Sequence, residues 1–199
     1  MKTGKTVKVL LALTTAAGML AGCGSKTDTD TFRFANDTDI VGMDSTVVDD
    51  AMSFNAITAI TDGLTTVDVK GNTIPGIAKS WDVSNNGLTY TFHLRDAKWA
   101  NGDDVTAQDF VYSWHRIIKN AGNYAYMLGS EGASIKNADS LIDLGTTATD
   151  EQLNTLGIKA TDDKTVVVDL EKNVPYFVGL MSFPCYFPQN QKFVEKCGK

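Results

Sequence analysis

The chain has few of the side chains on which most enzyme chemistry depends. Its 199 residues include two histidines, His93 and His115, and three cysteines, Cys23, Cys185 and Cys197. No Gly-x-Ser-x-Gly stretch is present, so a Ser-His-Asp hydrolase has no nucleophile signature to start from. Cys185 and Cys197 lie beside no histidine and form no Cys-x-x-Cys pair, which removes the usual zinc and redox spacings. An oxidising compartment could join them, but nothing in their spacing demands it, and they read as two unpaired thiols. Gly71 and Gly76 have phosphate-loop spacing, but Ile77-Ala78 stands where Lys-Ser or Lys-Thr is required, so a nucleotide site fails. His93 falls on the polar face of a predicted strand and His115 on a predicted helix beside Trp114, and both read as solvated or hydrogen-bonded surface residues. No cofactor, no metal and no catalysis are implied, and the chain reads as a non-enzyme.

Positive charge is also scarce, with 18 Lys and Arg against 24 Asp and Glu and a net charge of −6. A protein that binds nucleic acid must bring cations to displace condensed counterions, so nucleic acid is excluded as a partner. No apolar run reaches the roughly 20 residues needed to span a bilayer. The longest, residues 9–22, is uncharged, follows Lys2, Lys5 and Lys8, and ends in small residues, which is the layout of a secretory signal. Without residues 1–22, which carry three Lys and no acid, 15 basic residues face 24 acidic ones and the charge becomes −9. Residues 24–30 contain nothing apolar and read as a flexible tether. The roughly 170 residues beyond it suffice for one ordinary core.

What is present is concentrated between Ala78 and Trp114. Leu88, Tyr90, Phe92 and Leu94 alternate with Thr89, Thr91, His93 and Arg95, the period of a strand with one buried and one wet face. Asn85-Asn86-Gly87 supplies residues that tolerate positive φ, so a tight turn leads into that strand. Thr106 and Asp109 have capping-box spacing, Phe110, Trp114, Ile117 and Ile118 follow at helical spacing, and Asn120-Ala121-Gly122 ends the helix. Trp81, Phe92, Phe110 and Trp114 are expected in the core. Elsewhere the pattern predicts a strand at residues 31–35, a helix at 53–60, a strand at 64–67, and a turn at Gly71-Asn72. Residues 130–143 are ambiguous. A capped short helix is predicted to open at Thr149, and a hairpin around Asp162-Asp163 to put Val166, Val168 and Leu170 on one face.

The block as a whole resembles the signature of the extracytoplasmic peptide-binding proteins of bacterial oligopeptide ABC importers. Ser80-Trp81, residues 88–95, Lys98-Trp99, Asn101-Gly102 and residues 105–114 match that signature in order and spacing. Val174-Pro-Tyr-Phe177 and Phe183-Pro-x-x-x-Pro188 match in kind and position. Met43-Asp44-Ser45 corresponds to the family's apolar-Asp-Pro turn, with Ser in place of Pro. The resemblance implies an α/β (mixed α+β) fold, a two-lobed clamshell of the periplasmic-binding-protein type with an extra small lobe, incomplete in this chain. Residues 62–184 are then the small lobe, with residues 31–61 and 185–199 parts of the large one. The family is two to three times as long, which makes this an N-terminal portion.

Separately, Leu20-Ala21-Gly22-Cys23 resembles the lipobox of bacterial lipoproteins. It implies lipidation of Cys23 and a place on the outer face of the cytoplasmic membrane, each buried methylene contributing about 0.8 kcal/mol to anchorage. The family resemblance implies that Asp49, Ala51 and Tyr124 face the bound peptide. Asp49 would meet the peptide's amino group or a basic side chain, Ala51 would offer backbone, and Tyr124 a flat apolar wall with a hydroxyl tip. The partners implied are oligopeptides, held by main-chain bonds without regard to side chains, and the permease of an ABC importer, with the receptor a monomer. Relatives tuned to dipeptides, pheromones or nickel, and a surface adhesion or chaperone-like module without transport, are the competing readings.

Overall fold

The computed structural model describes Ala35 and residues 38–197. The expected signal, the lipidated Cys23, the tether and nearly all of the first predicted strand lie outside the described residues. Among the described residues, no helix is long and apolar enough to cross a membrane.

Helix α1 (Ala51–Ile60) begins two residues earlier than its apolar pattern indicates, because Asp50 caps it by accepting the Ser53 N–H at 2.8 Å. Strands β1 (Thr65–Val67) and β2 (Thr73–Pro75) form a two-stranded hairpin. Gly71 turns it at φ +85°, and Asp68 accepts from the backbone of Lys70 and Asn72.

The main sheet has four strands, β3 (Ala78–Ser84), β4 (Thr89–Leu94), β5 (Ile158–Asp162) and β6 (Thr165–Asp169), in the order β3-β4-β6-β5, antiparallel throughout. The alternation read from residues 88–95 holds from Thr89 to Leu94, with Tyr90, Phe92 and Leu94 buried on one face, whereas Leu88 belongs to the preceding turn and is only partly buried. Across the ladder Phe92 pairs with Val166 and Tyr90 with Val168, so the buried faces of β4 and β6 are one surface. The turn between β3 and β4 carries three successive positive φ values, at Asn85, Asn86 and Gly87.

Helix α2 (Ala107–Lys119) lies on that surface, with Phe110, Trp114, Ile117 and Ile118 wholly excluded from solvent. Its capping box forms as the spacing predicts. It ends at Asn120-Ala121-Gly122 as the sequence predicts, with Ala121 in the left-handed conformation at φ +46°. Gly122 is needed for space, since a Cβ there would stand 2.1 Å from the Thr46 carbonyl oxygen. Trp81 departs from expectation. It sits on the edge strand β3 opposite Phe92, ring centroids 6.3 Å apart, and is only half-buried, since among the described residues no further strand pairs with β3.

The ambiguous stretch resolves into a short helix, α3 (Ala138–Leu144), and the second capping box opens α4 (Asp150–Leu153). Beyond β6 come α5 (Phe177–Leu180), a 3-10 turn (Pro184–Tyr186) and α6 (Gln191–Lys196). Two bonds tie the stretch after α5 back to α2: Trp114 Nε1 donates to the Tyr186 carbonyl at 3.0 Å and Ser113 Oγ to that of Phe187 at 2.6 Å. Both cysteines among the described residues are free, Cys185 buried and Cys197 exposed.

Candidate functional site

Two segments 70 or more residues apart in sequence meet at the C-terminal end of α2, and what joins them is polar. Asp44 accepts from Arg116 at both carboxylate oxygens, Nη1 to Oδ1 at 3.1 Å and Nη2 to Oδ2 at 2.9 Å. The Gln189 side-chain amide donates to Oδ1 at 2.9 Å, and the Thr46 hydroxyl to the same oxygen at 2.8 Å. Only 12% of the Arg116 side chain and 14% of the Asp44 side chain reach solvent. Burial alone would push the Asp44 carboxyl up. Arg116, Gln189 and Thr46 together overcome that and hold it well below the usual carboxylate range.

Around this anchor the backbone of residues 44–48 folds into a tight turn, with the Val47 and Val48 N–H groups both bonded to the Asp44 carbonyl. Asn120 Nδ2 donates to Thr46 Oγ1 at 2.8 Å, and Gly122 packs against the Thr46 carbonyl. Further along, Asn123 Nδ2 donates to the Asp49 carboxylate.

Of the residues expected to face a peptide, Asp49 and Tyr124 are thereby brought together, since Asp49 is bonded to the residue preceding Tyr124. Ala51 opens α1 two positions on and is exposed. The Tyr124 ring is half-buried in an aromatic triangle, 5.1 Å from Phe54 of α1 and 5.3 Å from Phe183, which are themselves 5.2 Å apart. Tyr126 stacks on its other side at 6.0 Å and is 44% exposed. The three residues therefore form a ledge joined through Asn123 and Phe54, with Asp49 and Ala51 exposed and Tyr124 half-buried.

A cavity of about 700 Å³ lies behind the same turn, walled by Asp44, Ile57, Ile60, Trp99, Phe187 and Phe193 among others. None of Asp49, Ala51 and Tyr124 lines it, so the ledge and this apolar groove are different surfaces.

Sequence reasoning gives no site role to Arg116, Gln189, Asn123 or Phe54, and names Phe183 only as part of a family motif. Arg116 reads as an ordinary helix-end cation, and only Met43-Asp44 carried any signal, through the turn it begins. Among the described residues no cluster of three or more His, Cys, Asp or Glu could hold a metal. His93 bonds Asp82 at 2.8 Å on the exposed face of the sheet, as its strand position implies. His115 does not fit the surface reading: it is half-buried and its Nε2 has no partner among the described residues.

Comparison with known proteins gives this arrangement a family. Residues 72–197 match the model of the bacterial extracellular solute-binding proteins, family 5 middle region. The dipeptide-binding protein of Lactococcus lactis subsp. cremoris is 40% identical over the whole of this chain and 35% of its own length. The periplasmic oligopeptide-binding protein OppA of Escherichia coli is 36% identical over 82% of this chain and 29% of its own. In structure, Haemophilus influenzae OppA in complex with the peptide RPPGFSPFR superposes with a TM-score of 0.72 at 38% identity, over 79% of this chain and 30% of that one. The chain thus spans about a third of the length of these relatives. Its mixed α and β architecture is theirs over the shared part, and the chain belongs to the bacterial extracellular solute-binding proteins of family 5.

Proposed function

We propose that this chain is part of a receptor that binds short peptides through their backbone outside the cell and hands them to an ABC import permease. The observation that carries the reading is the ledge, where an exposed carboxylate, Asp49, an exposed helix start at Ala51 and a tyrosine wall at Tyr124 lie side by side in a family whose named members bind peptides. Asp49 offers a partner for a peptide ammonium, the extended backbone of Asp50 just before Ala51 offers strand-like hydrogen bonds, and Tyr124 with Tyr126 stacked on it offers an aromatic edge with hydroxyl tips. A match that spans the whole chain is named for dipeptides and others for oligopeptides, so the cargo is stated as short peptides.

In this reading residues 62–184 are the small lobe, and residues 31–61 with 185–199 belong to the large one. The apolar groove supports that division: Met43, Ile60 and Phe193 at its rim are 48, 74 and 56% exposed, a face suited to burial under further large-lobe structure. Lobe closure over the peptide would present the loaded form to the permease. Lys2, Lys5 and Lys8, the apolar run and Leu20-Ala21-Gly22-Cys23 support export and a lipid anchor at Cys23. Binding is the only activity proposed, with no chemical step.

The test is a titration of the isotopically labelled chain with tri-alanine up to about 10 mM, a range that registers even millimolar affinity. Chemical-shift changes gathered at residues 49–54 and 122–126 are expected. An unchanged spectrum at the highest concentration, or changes confined to the groove around Trp99 and Phe193, would sink the reading.

A further inference from the structure

We infer that Arg116 is the positioning residue of the peptide-facing edge, acting through Asp44 as the first and buried rung of a three-rung polar ladder; the inference rests on the peptide reading of that edge. Arg116 and Asn120 are four apart on one face at the end of α2, and Asn123 follows three residues on in the loop beyond it. Each holds one residue of the opposing turn: Arg116 takes Asp44, Asn120 takes Thr46, and Asn123 takes Asp49. The turn is thus registered against the helix at every second or third residue from Asp44 to Asp49.

The rungs are not equivalent. Asp49 and Asn123 are exposed and their bond competes with water, whereas the Arg116 and Asp44 side chains are nearly buried and share a two-point fork. Gln189 braces the fork from a third segment by donating to Asp44 and accepting from Arg116. An apolar contact would bury area equally well but would let the turn slide. A planar guanidinium on a planar carboxylate fixes both distance and angle. Backbone recognition needs that precision, because main-chain hydrogen bonds weaken outside a window of a few tenths of an ångström. Between the rungs, Gly122 lets the helix end touch the Thr46 carbonyl, so the turn carrying Asp49 packs directly on the loop carrying Tyr124.

The test compares the chain with Arg116→Met, Asp44→Asn, the double variant and Arg116→Lys by amide hydrogen exchange. Each single loss is expected to speed exchange by about tenfold or more at residues 46–50 and 123–125, while the amides of β4 and β6 stay within about twofold of the parent. The double variant should add little to either single change, because both remove the same interaction. Arg116→Lys, which keeps the charge and loses the fork, should fall between parent and Arg116→Met. Asp44→Asn keeps the side chain's shape and decides the matter should Arg116→Met fail to fold. Exchange that rises uniformly through the sheet, an unmoved turn, multiplicative effects in the double variant, or a lysine variant equal to the parent would each overturn the inference. The tri-alanine titration of the unaltered chain judges the peptide reading separately. Absence of binding there removes the peptide and leaves the exchange result to decide whether Arg116 fixes the turn.

Discussion

Trp99 donates its indole N–H to Asp109 Oδ2 at 3.1 Å, the oxygen that also accepts the Thr106 N–H at 2.8 Å and so closes the capping box of α2. One carboxylate therefore starts the central helix and holds the loop before it. Burial pushes the Asp109 carboxyl up, with Thr106 and Trp99 opposing. Asp109→Ala should remove the cap and strand two donors, costing about 2 kcal/mol and lowering Tm by roughly 4–8 °C. Asp109→Asn, which keeps one acceptor and no charge, should cost less than half as much. Thermal unfolding followed by tryptophan fluorescence checks both, and equal losses would show that the charge itself is what matters.

Neighbouring residues at the end of α2 should respond in opposite directions. Ala121 holds a left-handed φ of +46° that costs an L-residue about 1 kcal/mol or more, so Ala121→Gly should stabilise the fold, less the added freedom of the unfolded chain. Gly122→Ala should destabilise it by about 1–3 kcal/mol, because the new methyl meets a carbonyl oxygen at 2.1 Å and backbone must yield. Urea unfolding of the two variants gives the signs, and a stable Gly122→Ala protein would mean that the contact with Thr46 is loose.

The contrast between these residues and the strands shows what was legible in the sequence. Tyr90, Phe92 and Leu94 declare their face through a period of two, and Thr106 with Asp109, or Thr149 with Gln152, declare a helix start through a spacing of three. Local rules generate these features, so a local reading finds them. The ladder is different. Asp44 lies 72 residues from Arg116 and 145 from Gln189, and no short-range pattern marks a carboxylate for a partner at that distance. Trp81 was misplaced for a related reason, since aromatic character gives burial but not whether a strand lies at an edge. Asp49, Ala51 and Tyr124 are put forward as peptide-facing by the family resemblance alone, since nothing in their own sequence periodicity brings them together.

The two described cysteines should differ sharply in reactivity. Burial pushes the Cys185 thiol far above its ordinary range, and the side chain is fully enclosed, whereas Cys197 is exposed. Since the thiolate is the reacting form, iodoacetamide at neutral pH should modify Cys197 within minutes and leave Cys185 untouched until denaturant is added. Peptide mapping by mass spectrometry distinguishes the sites. Rapid labelling of Cys185 in the native chain would mean that the 3-10 turn over α2 opens readily.

Stability should decline on mild acidification because of His115. Its Nε2 is buried without a partner among the described residues, and burial lowers the ring's pKa, with Asp150 raising it and Lys119 lowering it by smaller amounts. A histidine whose folded pKa lies below its unfolded value of about 6.5 binds its proton more tightly when unfolded. Its contribution is therefore fully present above about pH 6.5 and is lost as pH falls through the folded value. Asp44 acts with the same sign but much lower, its stabilisation being lost only below the ordinary carboxylate range, so the two windows do not overlap. The urea midpoint should fall between about pH 8 and pH 5, and His115→Phe should flatten that part of the profile relative to the parent. The comparison subtracts every other titrating group common to both proteins. A parent midpoint that stays level across the window, or a phenylalanine variant with an undiminished slope, would show that the imidazole finds water in solution and is not a buried base without a partner.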